Sequence, residues 1–345
     1  DRWNYSLWDS FMSRKITSID VARQANVSQS TVSRVFSNNS PNVSKKARER
    51  VLKVAQELGY QPNAIARMMS TRQTNIIGLV MSTITSPFYP YVLEKFLENL
   101  QAIDLQALVF TTSSTQSIED ILPLVLQYQV DALIITSATL SSDMAKMSMD
   151  SGTPVILFNR SVKDPNMSAI CADNIAGGRL AADILLDSGH QHLAFIAGIQ
   201  NTSTSQNRER GFSARLAERG VTNWQRAQGA YTYETGYSAT QELLAQAPYP
   251  DAIFCANDIM ALGAIDAIRA QGLSVPDDIS VIGFDDIPMA RWGAYQLTTI
   301  SQEVDTMIAQ TIDLMQEKIE SPTSPSRLEH ITGQLIVRSS VRNLS

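Results

Sequence analysis

Short runs of apolar residues alternate with amphipathic segments through most of the chain, starting at Asn75. The runs read IIGLVM, ALVF, DALIIT and PVILFN, and then LAFIAG, DAIFCA and ISVIGF. Nearly every run precedes a helical segment, which is the pattern of a doubly wound parallel sheet with both faces covered. The pattern occurs twice, and the second set starts near Gly189. The sequence therefore predicts two similar α/β lobes.

Parallel sheets of this kind bind ligands at the carboxyl ends of their strands, so two lobes predict a ligand site in the cleft between them. No GxGxxG follows the first strand and no phosphate-binding loop is present. The three histidines, His190, His192 and His330, are too scattered for a metal site or a catalytic relay. We therefore expect a binding protein rather than an enzyme, with no metal and no cofactor.

The first part of the chain has a different, purely helical pattern. From Ser18 the apolar positions predict two short helices with a tight turn at Asn26, the first capped by Ser18 and the second by Ser28. A third helix is predicted from a capping Ser44 to Gly59. The apolar stripe of this third helix includes Leu52, and the apolar positions of the first helix include Ile19. Three such helices form a small core and present the second helix outward, ready to enter a major groove.

The polar face of the second helix carries groups that suit DNA. We expect Gln29, Ser30 and Arg34 to face base edges, because Arg reads guanine, Gln pairs with adenine and Ser is a short, less selective partner. Ser28, Thr31 and Ser33 are better placed for phosphates. A solvated polar face is the alternative, and the basic charge around the helix argues against it.

After Pro62 only a short helical segment precedes the first strand, with Asn63 available as its cap. A helix this short is marginal alone, so we expect it to fold by pairing with a second copy, while Ala66 and Arg67 approach a minor groove. Residues 62–75 are accordingly predicted to be a hinge helix and linker that could act as a switch.

Charge is distributed unevenly along the 345 residues. Residues 1–75 carry 12 Lys and Arg against 5 Asp and Glu, whereas the remainder carries 16 against 29. A basic head on an acidic body favours local contact with a polyanion such as DNA. Two cysteines, Cys171 and Cys255, are too few for a disulfide framework. No apolar run reaches the length of a transmembrane helix. We expect a cytoplasmic protein with no membrane partner.

The motifs also identify a family resemblance. The chain contains IDVARQANVSQSTVSRVFSN, GYQPNAIARMMSTRQTNIIGLV, DNIAGGRLA, LDSGHQHLAFIAG, ANDIMALGA and VPDDISVIGFDDIP, in this order. Over residues 16–338 it strongly resembles the lactose-repressor (LacI/GalR) family of bacterial transcription regulators. The resemblance implies a helix-turn-helix head and a dimeric core similar to periplasmic sugar-binding proteins.

The resemblance also implies roles for individual residues. Met69 falls where the family usually has a leucine that wedges into the minor groove. The implied effector-binding positions are Ser86, Phe88, Tyr89, Asn159, Arg160, Arg208, Tyr231, Asn257, Asp285 and Gln302. Tyr233 could replace Tyr231 after a small register shift, and Asp286 is expected to serve loop structure. Asn159 stands where many members have aspartate, which leaves room for an anionic sugar.

These expectations combine into one arrangement. Residues 1–11 are expected to be an unstructured extension. Residues 12–61 are predicted to form the head and residues 76–338 the core, followed by a tail, 339–345. The lobes are expected at about 76–187 plus 302–331 and about 188–301 plus 332–338. The predicted function is a homodimeric regulator on a pseudo-palindromic operator, most simply a repressor, controlled by a sugar that acts as inducer or co-repressor. The alternative is a cytoplasmic receptor for a sugar or purine without operator function.

Overall fold

The computed structural model describes residues 16–36, 43–61, 73–81, 87–111, 118–136, 151–162 and 164–342, with the side chains of 118 and 119 excepted. The chain divides into two compact units, Asp1–Thr74 and Asn75–Ser345. The predicted hinge residues Asn63, Ala66, Arg67 and Met69, the cleft residue Ser86 and the extension 1–11 lie outside the described residues.

The first unit has the three predicted helices, α1 (Ser18–Gln24), α2 (Gln29–Val35) and α3 (Lys45–Leu58). Their core consists of small branched or methyl side chains, which allow the helices to approach closely: Val21, Ala22, Ala25, Val32, Val35, Val51, Val54 and Ala55. Gly59 ends α3 in the left-handed conformation at φ 65°.

Ser28 and Ser44 cap their helices as predicted, but the first cap was predicted one residue too late. Thr17 caps α1 through a reciprocal capping box with Asp20, and Ser18 is the first helical residue. Two apolar residues were also assigned wrongly to the core. Ile19 and Leu52 remain 51% and 45% exposed, because they lie on the outer faces of α1 and α3.

The second unit contains two six-stranded sheets, as the repeated pattern predicts. The first sheet has the order β11-β5-β4-β3-β1-β2, and all of its pairs are parallel. Its strands are β1 (Ile76–Met81), β2 (Gln106–Thr111), β3 (Ala132–Ile135), β4 (Val155–Phe158), β5 (Ser168–Ala172) and β11 (Leu328–Ile331). Helices α4 (Phe88–Ala102), α5 (Ile118–Gln127) and α10 (Val304–Glu320) accompany it.

The second sheet has the order β12-β10-β9-β8-β6-β7 and is parallel except for β12, which runs antiparallel to β10. Its strands are β6 (Leu193–Ala197), β7 (Gln225–Gln228), β8 (Ala252–Cys255), β9 (Ser280–Asp285), β10 (Thr298–Ser301) and β12 (Leu335–Ile336). Helices α7 (Ser203–Glu218), α8 (Tyr233–Leu244) and α9 (Asp258–Ala270) follow β6, β7 and β8.

Helix α6 (Asn174–Asp187) leads from the first sheet to the second. A Cβ atom on Gly178 would lie 2.2 Å from the carbonyl oxygen of Arg208, so only glycine allows α6 and α7 to pack this closely. This contact favours a lobe boundary before α6 rather than near residue 187.

The carboxyl-terminal residues also extend the second lobe beyond the expected end of the core at 338. Ser340 is buried, and its backbone carbonyl accepts a 2.8 Å hydrogen bond from the N–H of Val281 in β9. The residues up to Arg342 therefore pack against the second lobe and are not a free tail. None of the described helices is long and apolar enough to cross a bilayer.

Candidate functional sites

Helix α2 presents a polar face of exposed side chains, Gln29, Ser30, Ser33 and Arg34, while Val32 and Val35 are buried. Its cap is well formed, because the Ser28 hydroxyl accepts a 3.2 Å hydrogen bond from the backbone N–H of Thr31. The hydroxyls of Ser30 and Thr31 each lie 2.8 Å from that of Ser28. The structure thus gathers the predicted DNA-facing residues of this helix on one outward face.

Gln29 also connects the two helices of the motif. Its amide Nε2 donates a 3.1 Å hydrogen bond to the hydroxyl of Ser18 at the start of α1. This contact gives Ser18 a role other than the predicted capping, since it orients the leading side chain of α2.

In the second unit, the residues predicted for the cleft follow the carboxyl ends of strands. Asn159 and Arg160 follow β4, Asn257 follows β8, and Gln302 follows β10, while Asp285 ends β9. All five are at most 9% exposed. Asn159 and Asp285 have φ values of 56° and 121°, so the chain turns sharply where these side chains emerge.

Arg208 of α7 is the centre of a buried polar network. Its Nε donates a 2.7 Å hydrogen bond to Asn174 Oδ1, and its Nη1 donates to the carbonyl of Ala256 at 2.5 Å and to Asp285 Oδ1 at 3.3 Å. The guanidinium carbon lies 3.7 Å from the ring centroid of Phe284. The guanidinium is thereby fixed on three sides.

Asp285 receives a further hydrogen bond from the Nε2 of Gln302. Burial raises the pKa of the Asp285 carboxyl, while Arg208 and Gln302 oppose that shift by stabilising the charged form. Asp286, by contrast, accepts a 2.7 Å hydrogen bond from Arg338, which agrees with its expected role in the loop. The carboxylate of Asp285 is thus the one held within the network around Arg208.

An aromatic group lies beside Arg160. Phe88 and Tyr89, at the start of α4, contact each other edge to face with ring centroids 5.5 Å apart. Burial lowers the pKa of the Arg160 guanidinium, and the nearby Tyr89 and Tyr231 side chains oppose that shift. Arg160 therefore lies close to aromatic residues of both lobes.

The structure separates the two alternative tyrosines. The Tyr231 hydroxyl lies 3.0 Å from the Thr204 hydroxyl, at the start of α7. The Tyr233 hydroxyl instead donates a 2.8 Å hydrogen bond to Asp266 of α9. Only Tyr231 lies beside the other cleft residues.

Three buried polar atoms in this region have no hydrogen-bond partner: Asn159 Oδ1, Arg160 Nε and Gln302 Oε1. Buried polar atoms are nearly always paired, since leaving one unpaired costs about 1–3 kcal/mol. Three such atoms among the cleft residues indicate a site shaped for a polar ligand.

Two cleft residues escaped the sequence analysis. The Oδ1 of Asn174 accepts a hydrogen bond from Arg208, and its Nδ2 donates a 3.0 Å hydrogen bond to the carbonyl of Ala172, at the end of β5. Asp258, fully buried, accepts from the N–H of Ile287 at 2.9 Å and from the hydroxyl of Thr299 at 2.5 Å. Asn174 follows β5 after one residue and Asp258 follows β8 after two, so the available signal was a polar residue shortly after a strand. Within the described ranges, no cluster of three His, Cys, Asp or Glu side chains could hold a metal.

Comparison with known proteins gives the same two parts. Residues 18–63 match the sequence model described as "Bacterial regulatory proteins, lacI family", and residues 182–341 match a periplasmic binding protein-like domain. The HTH-type transcriptional repressor PurR of Haemophilus influenzae strain PittEE is 33% identical over 335 residues, covering 94% of this chain and 98% of the relative. The chain belongs to the lacI family of bacterial regulatory proteins.

Two solved transcriptional regulators are similar to this chain over nearly its whole length. The lac repressor dimer bound to operator and the anti-inducer ONPF has a TM-score of 0.85 at 27% identity, covering 95% of this chain and 99% of that one. The transcriptional regulator CelR in complex with cellobiose has a TM-score of 0.72 at 31% identity, covering 94% and 99%. The present chain is accordingly a transcriptional regulator with a DNA-binding head and an effector-binding core.

Proposed function

We propose that the protein represses transcription as a homodimer, with two heads on a pseudo-palindromic operator and a sugar or sugar derivative controlling it from the cleft. The supporting observation is the set of unpaired buried polar atoms at Asn159, Arg160 and Gln302, of which Gln302 is joined to the network around Arg208 through Asp285. The operator complex of the similar lac repressor dimer supports the DNA half of the proposal. Two buried free cysteines agree with a bacterial cytoplasm, where such a protein associates with the nucleoid when bound.

In the head, Arg34, Gln29 and Ser30 are assigned to base edges and Ser28, Thr31 and Ser33 to phosphates. The exposed face of α2 supports this assignment, because the major groove admits a helix of this width. Asn63, Ala66, Arg67 and Met69 are assigned to a hinge helix that pairs over the minor groove, with Met69 as the wedge.

Replacing Arg34 tests the assignment to the bases. Arg34→Ala should lose about 1–3 kcal/mol of discrimination at one operator base pair, because a bidentate contact to guanine disappears. Fluorescence anisotropy on an operator panel with single-base changes measures this loss. The control is Ser33→Ala, whose assigned phosphate contact carries no sequence information. Equal weakening on every sequence by Arg34→Ala would place Arg34 on the backbone instead.

In the core, a sugar suits the chemistry of the cleft. Tyr89 and Tyr231 offer aromatic faces, while Asp285, Asn257 and Gln302 offer hydrogen bonds to hydroxyls. The Oδ1 of Asn257 caps α9 by accepting a 3.2 Å hydrogen bond from the backbone N–H of Met260, so the Nδ2 of Asn257 remains as the donor for a ligand. Cellobiose in the CelR complex supports a sugar as the effector class. The unpaired Nε of Arg160 extends the proposal to an acidic sugar.

One experiment tests the function as a whole. Purified protein is incubated with fragmented genomic DNA at near-physiological salt, and the retained fragments are sequenced with and without a panel of neutral sugars, sugar acids and purines. Enrichment of pseudo-palindromes that one ligand class alters is the expected result. Retention that is independent of sequence and abolished by modest salt would contradict operator function and favour a small-molecule receptor.

A further inference from the structure

Lys318, in the last turn of α10, is a buried lysine, with only 8% of its surface exposed. Its ammonium donates a hydrogen bond to the backbone carbonyl of Ser324. Among the described residues, no ion pair within 4.0 Å includes Lys318, and the adjacent Glu317 pairs with Arg327 at 2.6 Å. Lys95, the other described lysine of this unit, has Glu98 at 2.9 Å. Within the part of the chain that the structure describes, the partly buried ammonium of Lys318 therefore has a carbonyl acceptor but no ion-pair partner in close contact, which charges removed from water ordinarily have.

A cavity of about 410 Å³ lies beside this ammonium. Lys318, Ser324, Ser168, Thr323 and Gly152 are among the residues that line it. The hydroxyl oxygen of Ser324 is buried and has no hydrogen-bond partner. The hydroxyl of Ser168 accepts a 3.3 Å bond from the N–H of Arg327, which leaves its own proton free to donate. The cavity wall thus combines one cation with hydroxyl donors.

Prolines constrain the loop that forms one wall of the cavity. It follows α10 and carries two prolines, Pro322 and Pro325, which both line the cavity together with Pro154. Proline fixes φ, so little conformational entropy is lost when this wall receives a ligand. A volume of this size falls in the range of sites that hold small molecules.

The cavity is separate from the effector cleft. It opens at the amino ends of β4 and β5, next to Val155 and Ser168, whereas Asn159 and Arg160 follow the carboxyl end of β4. The length of β4, 4 residues, separates the two edges by about 10 Å or more. β1 begins at the same edge as the cavity, because β1, β3 and β4 run parallel.

We propose that this cavity binds a small organic anion through a phosphate or carboxylate group, with Lys318 as the charged partner and the hydroxyl of Ser324 as a donor. A bond to one carbonyl uses only one of the three ammonium protons. Burial also lowers the pKa of Lys318, a cost that an anion in the cavity would offset. The ligand is distinct from the effector in the cleft, so the protein has two small-molecule sites.

Titration calorimetry of the full-length protein tests the proposal, with inorganic phosphate and acetate as probes at matched ionic strength. At least one of the two anions should bind wild type, and the comparison between them distinguishes phosphate from carboxylate recognition. Lys318→Met should weaken that binding about tenfold or more, as expected when a charge-assisted contact is lost. Lys318→Arg keeps the charge and should retain most of the binding.

Further variants keep the test decisive if Lys318→Met folds poorly. Ser324→Ala leaves the lysine in place and should weaken anion binding severalfold, because it removes the unpaired hydroxyl. Lys95→Met should bind the anion as wild type does. Loss of binding in Arg160→Met but not in Lys318→Met would place the anion in the effector cleft and overturn the proposal. Failure of wild type to bind either anion would overturn it as well, without affecting the proposed effector site.

Discussion

Arg208→Met is expected to abolish effector binding and to lower the free energy of unfolding by about 3–5 kcal/mol, the usual cost of breaking a buried ion pair. The guanidinium is 2% exposed and bonds to Asn174, Ala256 and Asp285. Methionine fills much of the same volume but supplies none of these hydrogen bonds. The Asp285 carboxylate then remains buried without its cation, and the acceptors at Asn174 and Ala256 lose their donor.

Urea unfolding at neutral pH measures this loss of stability. Arg210→Met is the matched control, since Arg210 lies one half-turn along α7, is exposed, and donates only a 3.1 Å bond to Asn207. The control should change the unfolding free energy by less than about 0.5 kcal/mol. A loss by Arg208→Met as small as that of the control would mean that the network contributes little to folding.

The double variant Arg208→Met with Asp285→Asn separates the two contributions. Removing the carboxylate together with its cation eliminates the unpaired buried charge, so much of the lost stability should return. Effector binding should stay absent, because both polar groups of the cleft are missing. Stability that falls further in the double variant would show that the two side chains contribute independently.

The cleft could be predicted largely from the order of residues along the chain. Parallel strands place their carboxyl ends on one edge of each sheet, which predicted a ligand cleft between the two lobes. The residues assigned to that cleft, among them Asn159, Asn257 and Asp285, were implied by the family resemblance. The alternation of apolar runs with helices was sufficient to recognise the strands, and it gave both sheets. The head was predictable for a similar reason, since caps such as Ser28 and Ser44 are local signals.

The remaining features depend on contacts between distant parts of the chain. Nothing local to Asn174 indicates that it accepts a bond from Arg208, because that contact requires the close packing of α6 on α7. For the same reason Ile19 and Leu52 fitted a helical stripe in the sequence yet lie outside the core. Thr17 and Ser18 are both good caps, and the reach of Asp20 back to Thr17 selects between them.

Asp258 shows how such a hidden contact bears on the cleft. Its carboxylate accepts from the N–H of Ile287 and from Thr299, and so fixes the turn that follows Asp285. Asp285 and Asp286 both have positive φ, at 121° and 55°, a conformation that costs free energy unless neighbours hold it. Arg338 holds the same turn through Asp286 at 2.7 Å. The orientation of the Asp285 carboxylate thus depends on Asp258 and Arg338.

Asp258→Asn is expected to make the protein about 2 kcal/mol more stable than wild type near neutral pH, and no more stable than wild type in acid. Burial raises the pKa of the Asp258 carboxyl, and the neighbouring Asp285 carboxylate raises it further. The folded protein therefore binds this proton more tightly than the unfolded chain does. The contribution of Asp258 to the free energy of unfolding of the wild type is then fully present below the ordinary aspartate pKa of about 4, and it is lost as the pH rises toward neutrality.

Asparagine carries no titrating proton at this position, so the part of the fall that comes from Asp258 should disappear in the variant, whereas burial also raises the pKa of Asp285, which keeps its own part. Its oxygen still accepts from Ile287, and its amide donates to the hydroxyl of Thr299, so the turn after Asp285 is kept. Urea unfolding from pH 4.5 to 8 measures the two profiles, with the exposed Asp277→Asn as a control that should follow wild type. Parallel profiles for wild type and Asp258→Asn would show that Asp258 does not keep its proton in the folded protein. A flatter profile would show that one carboxyl beneath the effector cleft takes up a proton on folding, which couples the stability of this turn to pH.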